Sequence, residues 1–417
     1  MRERLQSRFR SREAAMPFIM LTVLIDMVAI GLIIPVTPEL VGSFAATPAD
    51  KAYWYGVVAV AFGVANFLAS PVLGALSDRF GRRPVLLLGF MGLGLSFFGT
   101  ALSDSLWGLI VVRTLGGAMQ ANAAIANAYV ADISAPEQRA KRFGLLGAMM
   151  GLGFIIGPVM GGLLGSIHLH LPFYVAGSMT LLNWLYGYFV LPESLPLAQR
   201  KPFTWAAAHP VTSLRKLAQL KGVGPLVGVV AFSGLAQFVL YTVWVLYNSF
   251  KFGWGPSENG WSLAVVGIVA VLVQGVLMGR LLKRFAPQKL AIMGLVSSVI
   301  AYMLWGAATE GWMMYAVIAV NLLGGTVAAS VQSLISSAAD SRSQGETMGA
   351  VSALTSLTAV VAPMLGAPLL AAVSDLPRGD WRMGAPFYFC AVLQLASLGM
   401  AVWHLKRHAR RLRQPAV

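Results

Sequence analysis

Along the 417 residues, apolar positions gather into runs much longer than a soluble core needs, and the runs recur at close intervals. A helix crossing the hydrocarbon core of a bilayer needs about 20 apolar residues. Twelve runs meet that need, at 17–41, 53–76, 84–102, 106–130, 143–166, 171–191, 223–248, 259–281, 289–308, 312–336, 348–373 and 384–405. They are too long for strands and lack an alternation of period two. The pattern predicts an all-α membrane protein of twelve transmembrane helices, spans 1 to 12, joined mostly by short polar loops.

Composition points the same way. Hydrophobic residues make up 57% of the chain and charged residues 11%, against roughly 25% charged in soluble domains. So little polar surface does not cover a water-soluble globule. A cytosolic enzyme, a secreted domain and a disordered chain are excluded. The single cysteine, Cys390, excludes a disulfide framework and a cysteine-based metal site.

The formal charge of +15 would by itself suggest nucleic acid. Locating the cations changes that. Of 31 Lys and Arg, 26 lie in the termini and the loops of one side, while Lys51, Lys251, Arg378 and Arg382 lie on the other. Arg113 falls inside span 4. This asymmetry places both termini in the cytoplasm and supports an even number of spans. Spread over many short loops, the charge forms no face for nucleic acid. Span 1 is too long for a signal peptide and lacks a small-residue cleavage site.

An internal repeat emerges at an offset of 205 residues. It relates the stretch Gly74–Arg83 to Gly279–Ala286, Gly89 to Gly294, Gly144 to Gly349 and Pro158 to Pro363. Transporters are often built from such repeats. The expected domains are two parallel six-helix halves, 1–192 and 223–417. A basic amphipathic linker, 193–222, is expected along the inner membrane surface.

Two charges are left deep inside spans, Asp26 in span 1 and Arg113 in span 4. An intramembrane charge costs several kcal/mol and marks function by default; a mutual structural ion pair is the plain alternative. Low dielectric penalises the ionised carboxyl. Asp26 is therefore expected to bind and release a proton as it is exposed to each side in turn, with Arg113 opposing by stabilising the carboxylate. Gln120 and Asn122 in span 4 and Gln237 in span 7 are candidate substrate contacts. Tyr241 and Trp244, at i and i+3, share a face suited to stacking a flat ligand, or simply to packing. Other intramembrane amides, Asn66 and Asn183 among them, read as interhelical hydrogen bonds. Glu193 takes no role at this stage. No metal-ligand grouping, catalytic cluster or phosphate-cradling loop is present, so neither cofactor, metal nor enzymatic activity is expected.

Two motifs go further. Gly74-Ala-Leu-Ser-Asp78-Arg79-Phe80-Gly81-Arg82-Arg83-Pro84 resembles the signature loop of the major facilitator superfamily. The resemblance implies a conformational latch in which Asp78 and Arg82 act with Asp132 at the inner end of span 4. The second copy lacks the aspartate, so the latch is expected in one half only. In span 5, Gly153, Gly157, Pro158, Gly161 and Gly162 resemble the antiporter motif of proton-coupled drug exporters, where they would form a hinge and a seal. Plain close packing of small residues accounts for the same positions.

The resemblance narrows to the tetracycline/proton antiporters. It is carried by Leu24-Ile-Asp26 through Pro35, Asp78 through Leu88, Ala131-Asp132, Gln138-Arg139 through Ala148, Thr242 through Leu246 with Phe252-Gly-Trp254, and Gln344-Gly-Glu346, while Leu109-x-x-x-Arg113-x-x-x-Gly117 matches the helix-4 arginine of the wider superfamily. It implies the major facilitator fold. It also implies a proton-coupled exporter of lipophilic or amphiphilic drugs, tetracyclines among them, working by alternating access. Such a protein would be a monomer of the inner membrane whose partners are a small-molecule substrate, protons and the bilayer. The alternative is a proton-coupled symporter or facilitator of a small metabolite, against which the span 5 motif argues. Ser96, Ser298 and Ala270 stand where tetracycline exporters of the family carry two intramembrane acids and a histidine. That departure weighs against a metal–tetracycline chelate and leaves Asp26 with Arg113 as the coupling site.

Overall fold

The computed structural model describes residues 2–205, 224–338 and 344–413. The described residues form helices and no strands. In chain order they are α1 (Arg2–Ile33), α2 (Thr37–Gly42), α3 (Pro48–Phe80), α4 (Arg82–Ala101), α5 (Leu106–Met119), α6 (Asn122–Ile133), α7 (Pro136–Ile167) and α8 (Leu171–Val190). Then follow α9 (Gly224–Phe252), α10 (Pro256–Leu272), α11 (Met278–Arg284), α12 (Pro287–Ala307), α13 (Gly311–Val320), α14 (Val327–Ala338), α15 (Gln344–Ala371) and α16 (Ala385–Arg413). Most of the linker, 206–222, lies outside the described residues.

Local chemistry sets the helix ends. Prolines open α3, α7, α10 and α12, where a missing N–H costs nothing. The Ser105 hydroxyl accepts from the Gly108 N–H at 3.2 Å and starts α5. Between α3 and α4 the chain turns through one residue, Gly81, at φ 108°. Only glycine enters that region without strain.

Among the described residues, eleven helical segments are long and apolar enough to cross a membrane. The twelfth predicted span is α8, with 20 residues. Its length suffices for a bilayer, but Asn183, Trp184 and three tyrosines dilute its apolar character. The burial pattern is that of a protein in lipid. Leu95, Leu115, Leu182 and Phe189 are exposed along their helices, whereas Asp26, Arg113 and Asn183 are buried. In lipid, apolar side chains gain nothing by leaving the surface, and polar ones must find partners inside.

The chain divides into two compact units. One contains Met1–Phe44, Ala61–His209 and Gly255–Gly267; the other contains Ala45–Val60, Pro210–Trp254 and Ile268–Val417. In the first, α1 packs on α7 and α8, and α4 packs on α5 and α8. Its core joins Ile19, Phe90, Ile125, Tyr129 and Leu146. In the second, α9 packs on α15 and α16, and α12 packs on α16. Leu226, Val229, Leu295, Val331 and Ile335 lie at its centre.

The repeat reappears in three dimensions. Helices α12, α13 and α14 begin 205 residues after α4, α5 and α6. Spans 4 and 10 are broken at matching places, at Gln120–Ala121 and across the 3₁₀ segment Asn321–Thr326. Each break follows or contains a glycine pair, Gly116-Gly117 or Gly324-Gly325. Glycine is the weakest of the ordinary helix formers.

Candidate functional site

The break in span 4 organises the site. Gln120 leaves the helical region at ψ 64°, which separates α5 from α6. Carbonyls freed at such a break need donors, since lipid supplies none. Asn66 of α3 provides one: its Nδ2 donates to Gln120 O at 2.6 Å and reaches Gly117 O at 3.4 Å. Phe62, one turn earlier on α3, lies against Gly117 and under the Arg113 guanidinium, 4.7 Å from its centre.

Asp26 is 2% exposed and faces this break. Asn122, the first residue of α6, donates from Nδ2 to Asp26 Oδ1 at 3.3 Å. Around them lies a cavity of about 320 Å³, bordered by Asp26, Ile30, Phe62, Asn66, Ser70 and Gln120. One ionisable group, two amides, a hydroxyl and a largely apolar remainder make up its walls. Asn183 of α8 donates at 2.9 Å to the carbonyl of Thr22, one turn before Asp26, which ties that turn of α1 to α8.

Immediately beyond Asp26, α7 closes on α1. A Cβ on Gly157 would stand 2.7 Å from Gly31 Cα and from Val28 O, and one on Gly153 would stand 2.5 Å from Met27 Cβ. Gly161 meets the backbone of Leu32 in the same way. The next face of α7, Pro158 and Gly162, meets the start of α10, where a Cβ on Gly162 would lie 2.5 Å from Pro256 O and 3.2 Å from Gly260 Cα. The small residues of span 5 thus serve two neighbours.

The loop between α3 and α4 forms a charged cluster. Arg82 Nη1 lies 2.5 Å from Asp78 and its Nε 3.1 Å from Asp132 Oδ2. Ser194 donates to the same Asp132 oxygen at 3.1 Å. Arg79 lies over Phe80 and Arg83 over Tyr188. Among the described residues, nothing lies within 4 Å of where a Gly74 side chain would be.

Two residues play parts that sequence reasoning missed. Glu193, just past α8, accepts from the backbone N–H groups of Arg82 at 2.9 Å, Arg83 at 3.3 Å and Leu195 at 3.0 Å. It satisfies the orphan donors at the start of α4 with a negative charge, the sign that a helix N-terminus favours. Nothing in the sequence flags this beyond its place at the end of span 6. Lys251, grouped by sequence with the outer loop charges, is 5% exposed inside α9. Its Nζ donates to Tyr247 Oη at 3.0 Å and to Gly306 O at 3.2 Å. The helix simply continues past the predicted end of span 7, and the long side chain turns inward to a helix C-terminus.

The remaining candidates separate. Tyr241 is half-exposed and hydrogen-bonded to Gln237. Trp244 is 3% exposed and packs edge-on against Trp305 at 5.3 Å, so the two aromatics do not present one surface. Ser96 donates to Val112 O at 3.0 Å and Ser298 to Asn321 Oδ1 at 3.4 Å; Ala270 is half-buried on α10. Among the described residues, no three His, Cys, Asp or Glu side chains gather where they would hold a metal ion.

Repeated helical units with broken spans, one of them beside a cavity that holds a buried carboxyl, are the architecture of a multi-pass secondary transporter. The sequence profile of the Major Facilitator Superfamily matches residues 19–242 and 226–416. The chain belongs to that superfamily, whose members carry small molecules across membranes. It is 37% identical over 383 residues to the class C tetracycline resistance protein of Escherichia coli, covering 92% of this chain and 96% of the relative. It is 28% identical over 410 residues to multidrug resistance protein 2 of Bacillus subtilis, covering 93% and 94%. Among solved structures, the human organic anion transporter MFSD10 (TETRAN) shares the fold at a TM-score of 0.69 and 23% identity, covering 94% of this chain and 99% of that one.

Proposed function

We propose that this protein is a proton-coupled drug exporter of the inner membrane, acting as a monomer with both termini in the cytoplasm. Its substrates are lipophilic or amphiphilic compounds, with tetracyclines among the candidates. The names of its relatives supply the substrate class: resistance to tetracycline in one, to multiple drugs in the other. The carrying observation is Asp26, a buried intramembrane carboxyl bordering the cavity, with the neutral amide of Asn122 on one oxygen. Arg113 lies over Phe62, which borders the same cavity, and is proposed as the cation that opposes protonation of Asp26.

The six-helix halves 1–192 and 223–417 work by alternating access. Glycines support this reading. Gly162 meets Gly260, and Gly56 meets Ala367, in close contact, while among the described residues Gly74, Gly144, Gly147 and Gly279 have no neighbour within 4 Å of where a Cβ would stand. The unoccupied small-residue faces are the surfaces that pack in the other state, with the Asp78–Arg82–Asp132 cluster as the latch.

The test is Asp26→Asn in inverted membrane vesicles carrying a proton gradient. The variant should lose uphill tetracycline or lipophilic-dye transport and keep equilibrium binding. Uphill transport by the variant would sink the coupling assignment. Proton-driven movement of substrate in the opposite direction by the wild type would favour a symporter.

A further inference from the structure

The buried amide beside Asp26 carries a feature that a substrate contact does not explain. Asn122 is 2% exposed. Its Nδ2 reaches Asp26, yet its Oδ1 is buried with no hydrogen-bond partner among the described residues. An unpaired buried amide oxygen costs free energy and calls for a reason. The oxygen lies against Gly89 of α4, whose missing side chain leaves the room.

The same place in the second half is built differently. Val327 stands 205 residues after Asn122, opens α14 as Asn122 opens α6, and packs against Gly294 as Asn122 packs against Gly89. Ile318 stands 205 residues after Arg113. Span 7, the counterpart of span 1, contains no acidic residue. Packing at this position therefore needs only an apolar side chain, and the amide occurs in the half that carries the acid.

From this we infer that Asn122 is a positioning residue that follows the protonation of Asp26 by turning its amide over. A carboxylate only accepts hydrogen bonds, so the ionised form takes the amide N–H₂. A carboxylic acid has a proton to donate, and the oxygen now unpaired is the acceptor for it. The two orientations have the same shape, so the switch leaves the packing on Gly89 unchanged. Because Asn122 begins α6 at the break of span 4, the change in hydrogen bonding falls where the helix is already interrupted.

The charged groups near Asp26 are few. Arg113 of α5 stacks on Phe62, which borders the cavity. Residues 143–167 of α7 and the whole of α8 contain no charged residue, though α8 carries Tyr186 on the side of α1 that holds Phe18. Asp132 of α6 and Arg82 and Arg83 of α4 are engaged in the inner cluster. The inference rests on Asp26 being the proton carrier.

Infrared difference spectroscopy of the purified protein, stepped in pH, tests both. Asp26→Asn should remove a titrating carboxylic C=O band; if it does not, the underlying reading falls. Asn122→Val and Asn122→Thr have the same shape and differ by a hydroxyl able both to donate and to accept. With Val, deprotonation of the band should require a pH higher by about one unit or more, the size expected for a hydrogen bond to a charged group. With Thr, the midpoint should return most of the way. In wild-type protein with ¹³C-labelled asparagine side chains, one amide C=O band should shift in step with the carboxyl band, a readout that needs no variant at position 122. An Asp26 band that titrates identically in all three proteins, or amide bands that stay still while Asp26 titrates, would overturn the inference.

Discussion

Gly157→Ala is the sharpest test of how the membrane core is held together. A Cβ at that position would stand 2.7 Å from Gly31 Cα and 2.7 Å from Val28 O, where ordinary contacts begin at 3.4 Å. Both obstacles are backbone, so no side chain can rotate away, and α1 and α7 must separate by about 0.7 Å. Overpacking of this kind costs typically about 1–3 kcal/mol. Removing a glycine from a helix interior returns up to about 1 kcal/mol. Gly74→Ala is the internal control: it collects the same propensity gain in α3 and meets nothing within 4 Å. Thermal unfolding of the detergent-purified proteins, followed by tryptophan fluorescence, should place Gly157→Ala below wild type and Gly74→Ala level with it or above. The separation between the two variants should be about 1–3 kcal/mol. Equal stability of the pair would refute the assignment of Gly157 to a backbone-to-backbone contact.

Two further outcomes follow from the site. Arg82→Lys keeps the charge but loses the planar fork that spans Asp78, Ser77 and Asp132; turnover should fall several-fold in a vesicle flux assay while equilibrium binding of substrate holds. Asn66→Ala removes the donor to Gly117 O and Gln120 O. Gly117 O keeps the Gln120 N–H at 3.2 Å, but leaving the Gln120 carbonyl unpaired costs about 1–3 kcal/mol, so purified Asn66→Ala should unfold at lower temperature and bind substrate more weakly. Wild-type stability in that variant would show that the break of span 4 is held by something else.

Much of the architecture was legible in the chain because a bilayer imposes two simple demands. A span needs a fixed length of apolar residues, and cations stay on one side; both are one-dimensional patterns. That Arg82 meets both Asp78 and Asp132 was legible through a motif. Glu193 was not, because its partners are backbone N–H groups 110 and 111 residues away in sequence. Asn122 and Trp244 show the same limit. Both lie in apolar spans, and a helical period does not say whether an inward face ends in a cavity, on a neighbouring ring or beside a carboxyl.

The sequence by itself determined that this is a multi-span membrane protein, that its halves repeat, and that Asp26 and Arg113 are costly inside the membrane. Those conclusions depend on transfer free energies and spacing, which are properties of each residue and its near neighbours. Only the tertiary structure decided that span 4 breaks at Gln120, that Asn66 staples the break, that Lys251 turns inward, and that Asn122 faces Asp26 rather than open space. Those depend on how helices distant in sequence approach one another. In lipid that approach is directed by single hydrogen bonds and missing side chains, whose partners the order of residues along one helix does not contain.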